Sequence, residues 1–392
     1  MARLGLRCHY RRVPRGQRIV CRALRAQDRR RRHLGAGLIL PAPQAVRCKA
    51  METGFLLTVG IPGPYLDGET RALLERVRPG CVILFRRNVH AGLGALQQLI
   101  ADLHALPWQP LVAIDHEGGR VVRLGEPFTH FPAAAAIGRK GDPTLARSVA
   151  AAMGRELASV GFDLVFAPVL DVLTRADNTV IGDRAFSSDP LVVARLGAAQ
   201  VEGYREAGIL CCGKHFPGHG DTVVDSHVGL PRVDTPDILL RKRELVPFRQ
   251  AIASAVPMLM TAHVVYEGVG SHVPATLEPY FLRTVLREEL GFEGVVVSDD
   301  LEMGAIVERG GVAEAAIASI RAGADGVLVC QTSAAALAVA EALKEAVAEG
   351  SFRRHVEKAR QRWDALRRLL PRERVSCALP NTAHRELAAT ID

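Results

Sequence analysis

The sequence predicts an α/β fold: a single (β/α)8 TIM-type barrel over residues 51–392, preceded by a disordered Arg-rich arm over residues 1–50. Three observations carry that prediction. From Phe55 onward, eight short apolar runs alternate with helical stretches. The runs are continuously apolar rather than alternating, as expected of parallel strands covered on both faces. The repeats fit within 342 residues, inside the roughly 200–400 that such barrels occupy.

In chain order the arm comes first. Residues 1–50 hold thirteen Arg, one Lys and a single acid, Asp28, a net +13. The rest of the chain holds 36 basic and 41 acidic side chains, a net −5, so the overall +8 belongs to the arm. That removes the electrostatic case for phosphate-backbone binding by the barrel, and no nucleic-acid partner is expected. Arginines at every third or fourth position from Arg3 to Arg32, with no apolar stripe, read as a solvated segment. Pro41 and Pro43 break the uncharged stretch His33–Val46, which argues against a secretion leader, and the lack of Ser and Thr argues against a transit peptide. Met51 therefore reads as the opening of the functional chain. The segment before it is a dispensable arm or an upstream stretch wrongly included, in preference to a targeting signal.

The predicted strands are Phe55–Gly60, Cys81–Phe85, Pro110–Asp115, Asp163–Pro168, Ile209–Lys214, Pro257–Ala262, Gly294–Asp299 and Asp325–Cys330. Between them, Asp142-Pro143 and Asp189-Pro190 each put a capping carboxylate before a proline at the first helical position, where its missing N–H costs nothing. Leu145, Val149, Met153 and Val160 then share one helical face. Helix ends recur as Val160-Gly161-Phe162, Ala207-Gly208-Ile209, Leu290-Gly291-Phe292 and Ala322-Gly323-Ala324, with glycine free to take the left-handed conformation that turns the chain into the next strand. Ser351 to about Leu370 reads as a further helix, and Pro380-Asn381-Thr382 as the start of an irregular end.

A hydrophobic content of 48% is enough for a sizeable core. Eight cysteines without C-x-x-C spacing read as thiols in a reducing compartment. No apolar run approaches the ~20 residues of a spanning helix. A cytoplasmic protein without a membrane span is expected, with a monomer favoured.

In such a barrel the C-terminal ends of the strands share one mouth. The polar residues collected there are Asp115, Asp171, Lys214, His215, His263, Asp299 and Asp300. Asp300 taken alone reads equally well as a helix cap. The densest segment runs from Lys214 to His227, where Pro217, Gly218 and Gly220 exclude regular structure and leave a loop bearing His215, His219, Asp221, Asp225 and His227. Two chemistries fit. The histidines and Asp221 are zinc-ligand types. Alternatively, Asp225 can hydrogen-bond His227, fixing its tautomer and raising its pKa for acid/base work. Ser226 lacks the glycine-bounded elbow of a nucleophile. The fragment Asp115-His116-Glu117-Gly118-Gly119-Arg120 and Arg123 add a carboxylate, two glycines that permit close backbone approach, and two arginines; Gly182-Asp183-Arg184 adds another.

Those fragments, with Lys214 through His227 and Val297-Ser298-Asp299-Asp300-Leu301, resemble the signature segments of glycoside hydrolase family 3, in particular its single-domain bacterial β-N-acetylglucosaminidases, in the same order from about residue 55 to 305. The resemblance implies roles residue by residue. Asp299 would be the nucleophile of a retaining reaction, forming a covalent glycosyl-enzyme. His227, paired with Asp225, would be the acid and then the base. Asp115, Arg123, Arg184, Lys214 and His215 would bind the terminal N-acetylglucosamine. No cofactor and no metal is implied. The partner is a small carbohydrate or muropeptide, with peptidoglycan fragments containing 1,6-anhydro-N-acetylmuramic acid as the implied natural substrate in cell-wall recycling. His116 stands where some relatives have Gln, and the arm has no family counterpart. Many two-domain relatives carry the acid/base on a second domain; this chain is expected to lack one and to use the Asp225–His227 pair. A His–Asp acid adds no second anion beside Asp299, so an anionic acceptor would be repelled less. The alternatives are a phosphorylase on the same scaffold and a metal-dependent hydrolase using His215, His219 and His227.

Overall fold

The eight apolar runs become strands because each is buried along nearly all its length between the barrel interior and the outer layer. The computed structural model describes residues 51–223, 229–307, 310–373 and 376–391. The expected arm over residues 1–50, and with it Asp225, Ser226 and His227, lie outside the described residues.

The strands are β1 (Leu57–Gly60), β2 (Cys81–Leu84), β3 (Leu111–Ile114), β4 (Leu164–Val165), β5 (Leu210–Phe216), β6 (Arg232–Val233), β7 (Met258–Thr261), β8 (Val265–Tyr266), β9 (Val295–Asp300) and β10 (Gly326–Val329). All but β6 and β8 close into one parallel barrel, in the order β1-β2-β3-β4-β5-β7-β9-β10 and back to β1. The closing seam pairs Leu57 with Val327, and the opening one pairs Thr58 with Cys81. The predicted barrel is therefore the observed one, with the eight runs as its strands.

Helices cover the outside. Pro143–Val160 starts from Asp142, whose carboxylate accepts from the Thr144 N–H at 2.8 Å, and Pro190–Glu206 starts likewise from Asp189. Gly161 ends the first of these at φ 112°, and Gly208 turns the chain after the second at φ 73°. Val149, Met153 and Val160 are buried and Leu145 packs against the same core. No helix among the described residues is long and apolar enough to cross a membrane.

Three features differ from the sequence expectation. β5 continues two residues beyond Lys214, so His215 and Phe216 belong to the strand rather than to the loop. β6 and β8 form a small parallel sheet that short, mixed sequences did not announce. The irregular end proposed from Pro380-Asn381-Thr382 is instead a helix, Thr382–Ala389. Asn381 supplies the reason: its side chain accepts from the His384 N–H at 3.1 Å, an N-cap. Ala388 and Ile391 are buried, which anchors the helix.

Candidate active site

The C-terminal ends of the strands open on a cavity of about 470 Å³. Phe85, Met260 and Leu328 give it apolar wall, while its polar groups come from five segments distant in sequence.

Asp115 follows β3 directly. Its Oδ2 accepts from Arg123 Nη2 at 3.1 Å and its Oδ1 from Lys214 Nζ at 3.1 Å. The loop carrying Arg123 doubles back tightly, with the Glu117 N–H donating to the Val121 carbonyl at 2.8 Å. Gly118 permits the turn: it sits at φ 96°, and a Cβ there would lie 2.7 Å from the Pro132 carbonyl oxygen.

Lys214 lies between two carboxylates, 2.6 Å from Glu117 Oε1 as well as 3.1 Å from Asp115. Burial opposes its charge, but Glu117 and Asp115 outweigh burial and hold the ammonium above its ordinary value. Arg184 forks onto the same Glu117, from Nε at 2.8 Å and Nη2 at 2.9 Å. Burial pushes the Glu117 carboxyl up, yet Lys214 and Arg184 outweigh that and hold it far below the usual range. Glu117 thus fixes two cavity-lining cations at once. Sequence reasoning quoted Glu117 without giving it a role. The available signal was its spacing from Asp115: two residues apart in extended chain put both side chains on one side.

His215 is held by Asp171, which is fully buried beyond β4. Asp171 Oδ2 pairs with His215 Nδ1 at 2.7 Å, and its Oδ1 accepts from the backbone N–H groups of His215 at 3.2 Å and His219 at 2.7 Å. The peptide bonds Lys214–His215 and Phe216–Pro217 in this segment are cis. His219 lines the cavity, and its Nδ1 pairs with Thr222 Oγ1 at 2.8 Å. Burial, followed by the neighbouring His215, lowers the His219 imidazole to about 4, so it is neutral near pH 7. Asp221 does not line the cavity; it ties the loop to its neighbours through Thr174, Thr235 and Arg243.

Asp299 and Asp300 end β9 and both line the cavity, but with different partners. Asp299 lines the cavity and accepts from the Asp300 N–H at 2.7 Å. Burial alone would raise its pKa; His215, His263, that N–H and Lys214 outweigh it and keep the carboxyl below its ordinary value. Asp300 accepts from the Glu302 and Cys330 N–H groups and from Gln331 Nε2, at 3.1, 3.2 and 3.1 Å. Burial pushes it up to about 6. Its bond to the Glu302 N–H closes a turn ahead of the helix Gly304–Val307, so Asp300 is a turn residue and not the cap of that helix. His263 is buried, bonded to Thr276 Oγ1 and the Asp300 carbonyl, and does not line the cavity.

The structure therefore brings together Asp115, Arg123, Arg184, Lys214, His215 and Asp299 of the predicted site. Asp225 and His227 lie outside the described residues. Among the described residues no set of three or more His, Cys, Asp or Glu is arranged to hold a metal ion.

Residues 52–366 match the family model described as the glycosyl hydrolase family 3 N terminal domain. The chain belongs to glycoside hydrolase family 3. As a member of that family the protein is a glycosidase. It is 45% identical over 292 residues to a beta-hexosaminidase of Alkalilimnicola ehrlichii, covering 72% of this chain and 82% of that one. Among solved structures, it is similar to a family 3 β-N-acetylglucosaminidase from a Paenibacillus species, with TM-score 0.78 and 37% identity over 86% of this chain and 67% of that one. It is also similar to NagZ from Neisseria gonorrhoeae in complex with N-trifluoroacetyl-D-glucosamine, with TM-score 0.74 and 34% identity over 86% and 96%. The family assignment thus agrees with the resemblance read from the strand-end motifs.

Proposed function

We propose that this glycosidase is a retaining exo-β-N-acetylglucosaminidase that removes non-reducing terminal N-acetylglucosamine, with peptidoglycan fragments containing 1,6-anhydro-N-acetylmuramic acid as its natural substrate in cell-wall recycling. The observation that carries the reading is Asp299, a carboxylate kept ionised on the cavity wall while its chain neighbour Asp300 is pushed toward protonation. Such a split between adjacent acids supports the ionised one as the nucleophile. The names of the relatives and solved structures support the sugar.

In the proposed reaction, Asp115, Lys214, Arg184, Arg123 and His215 hold the sugar through its hydroxyls. An Asp299 oxygen bonds to the anomeric carbon as the glycosidic bond breaks, and His227, oriented by Asp225, gives its proton to the departing oxygen. Water then loses a proton to His227 and displaces Asp299, restoring both groups with retention of configuration. Proton transfer of this kind contributes about 10²–10⁴ in rate. A cytoplasmic location goes with this proposal and is supported by the free thiols of Cys81, Cys211, Cys212, Cys330 and Cys377.

The test is turnover of an activated aryl β-N-acetylglucosaminide by wild type, Asp299→Gly and His227→Ala, with products followed by NMR in the presence and absence of phosphate and of a chelator. The β-anomer of N-acetylglucosamine as first product and an inactive Asp299→Gly are expected. Wild-type turnover by Asp299→Gly would remove the nucleophile assignment. Sugar 1-phosphate as the dominant product would make the enzyme a phosphorylase, and loss of activity on chelation with recovery on zinc would make it a metal hydrolase.

A further inference from the structure

The loop that carries Asp115, Glu117 and Arg123 is held from behind by a contact that begins near the chain's C-terminal end. The loop has two limbs. The inner limb bears the site residues, and it hangs on the outer limb through the Gly119 N–H, which donates to the Phe131 carbonyl at 2.9 Å, and through the close approach of Gly118 to Pro132. The outer limb is fixed in turn by Thr129. Its N–H donates to Glu156 Oε2 at 2.8 Å and its hydroxyl to Glu156 Oε1 at 2.7 Å.

Glu156 sits inside the helix Pro143–Val160 and is 2% exposed. A carboxylate buried there is costly unless donors saturate it. The remaining donor is His384, whose Nδ1 lies 2.8 Å from Glu156 Oε1, across 228 residues of sequence. His384 is placed by the helix Thr382–Ala389, which packs on the helix bearing Glu156 and is anchored by buried Ala388 and Ile391. The next residue, Arg385, pairs with Glu126 of the same outer limb. Two successive residues of this helix therefore grip one substrate-binding loop, and they lie beyond residue 366, where the family match ends.

We infer that the helix Thr382–Ala389 is a strap for the sugar-binding loop, with His384 as a positioning residue that acts through Glu156 and Thr129 on Asp115, Glu117 and Arg123. The inference rests on the proposed role of those three residues in holding the sugar. With His384 removed, Glu156 loses a donor, Thr129 loses its fixed acceptor, and the loop samples positions in which Asp115 and Arg123 no longer meet the same hydroxyls. The strap touches no reacting atom, so it acts on substrate affinity rather than on the chemical step.

The test uses the full chain and two substitutions that differ in where an amide sits. In His384→Asn the side-chain amide can occupy the place of Nδ1 and donate to Glu156; in His384→Gln it reaches the place of Nε2 instead. For His384→Gln, hydrogen exchange is expected to quicken in residues 115–131 and not in residues 229–243. KM is expected to rise about three- to tenfold, the scale of one hydrogen bond, with kcat within about twofold of wild type. His384→Asn should behave as wild type in both readouts, and Thr129→Val, which keeps the side-chain shape, should reproduce the His384→Gln pattern. Exchange in 115–131 that is unchanged, or that rises equally across the whole barrel with KM unaltered, overturns the strap. If wild type turns over no β-N-acetylglucosaminide, the sugar assignment fails, while the exchange pattern still decides whether the strap exists.

Discussion

Buried acids stand at both ends of the barrel, and the two ends use them differently. At the N-terminal end, Asp163 directly precedes β4 and accepts from the Val112 N–H of β3 at 2.8 Å and from His104 Nε2 at 2.7 Å. Asp325 directly precedes β10 and accepts from the Val296 N–H of β9 at 2.9 Å, from Arg287 at 2.6 Å and from Arg362 at 2.7 Å. Each binds the neighbouring strand and a side chain of the outer layer, so each acts as a pin between layers. At the C-terminal end, Asp115, Glu117 and Asp299 face a cavity; Asp115 and Glu117 share Lys214 and pair with Arg123 and Arg184, while Asp299 accepts from the Asp300 N–H. The residue type is the same. What differs is whether the carboxylate's partners close around it or leave a side open to a ligand.

The comparison is sharpest at its extremes. Asp299→Gly is expected to lower kcat/KM by roughly 10⁴-fold or more while shifting the melting temperature by only a few degrees, because a half-open carboxylate contributes little to folding. A large loss of melting temperature would place Asp299 with the pins. Asp325→Ala should do the reverse. It leaves Arg287 and Arg362 facing an emptied site and removes an acceptor from β9, so denaturant titration should show a loss of about 3–5 kcal/mol, with kcat/KM of the folded protein unchanged.

Lys214→Met probes the shared cation. It leaves Asp115 and Glu117 without the ammonium between them, and affinity for N-acetylglucosamine measured by calorimetry should fall about 10- to 100-fold, the worth of one charged hydrogen bond. An unaltered affinity would mean that Lys214 only neutralises its neighbours.

The smallest effect concerns Asp300. Its pKa is raised from 3.8 to about 6 by burial, so the fold favours its protonated form. That contribution is present in acid and is lost as pH rises through about 6. Asp300→Asn should therefore lack this contribution, so that its melting temperature gains on that of wild type as pH rises from about 4 to about 6. Identical profiles would remove Asp300 as the source of that contribution.

The strand-end residues show what could be read in advance. Asp115, Lys214, His215 and Asp299 each follow or end a continuous apolar run, and in a barrel of parallel strands that position alone delivers them to one mouth. The spacing of Glu117 from Asp115 put it on the same side, but its role was not legible, because that depends on Lys214 and on Arg184, 67 residues away. The terminal helix was missed because Pro380 and Asn381 read as breakers; Asn381 caps a helix whose stability comes from Ile391 and from Glu156, neither of which local propensity registers. β6 and β8 are two residues each, too short for any periodicity to mark.

By itself, the sequence determined the eight strands in chain order and the strand ends at which the polar residues gather, while closure and pairing order belong to the tertiary structure. The continuous apolar runs, eight in all, and the capping carboxylates Asp142 and Asp189 are local properties of the chain. Only the tertiary structure decided which charges meet. Adjacent Asp299 and Asp300 are drawn to opposite sides of their ordinary pKa by burial, by His215 and His263, and by the donors around them. Coulomb and desolvation energies depend on distance in space, and residues as far apart as Glu156 and His384 become neighbours only when the chain has closed.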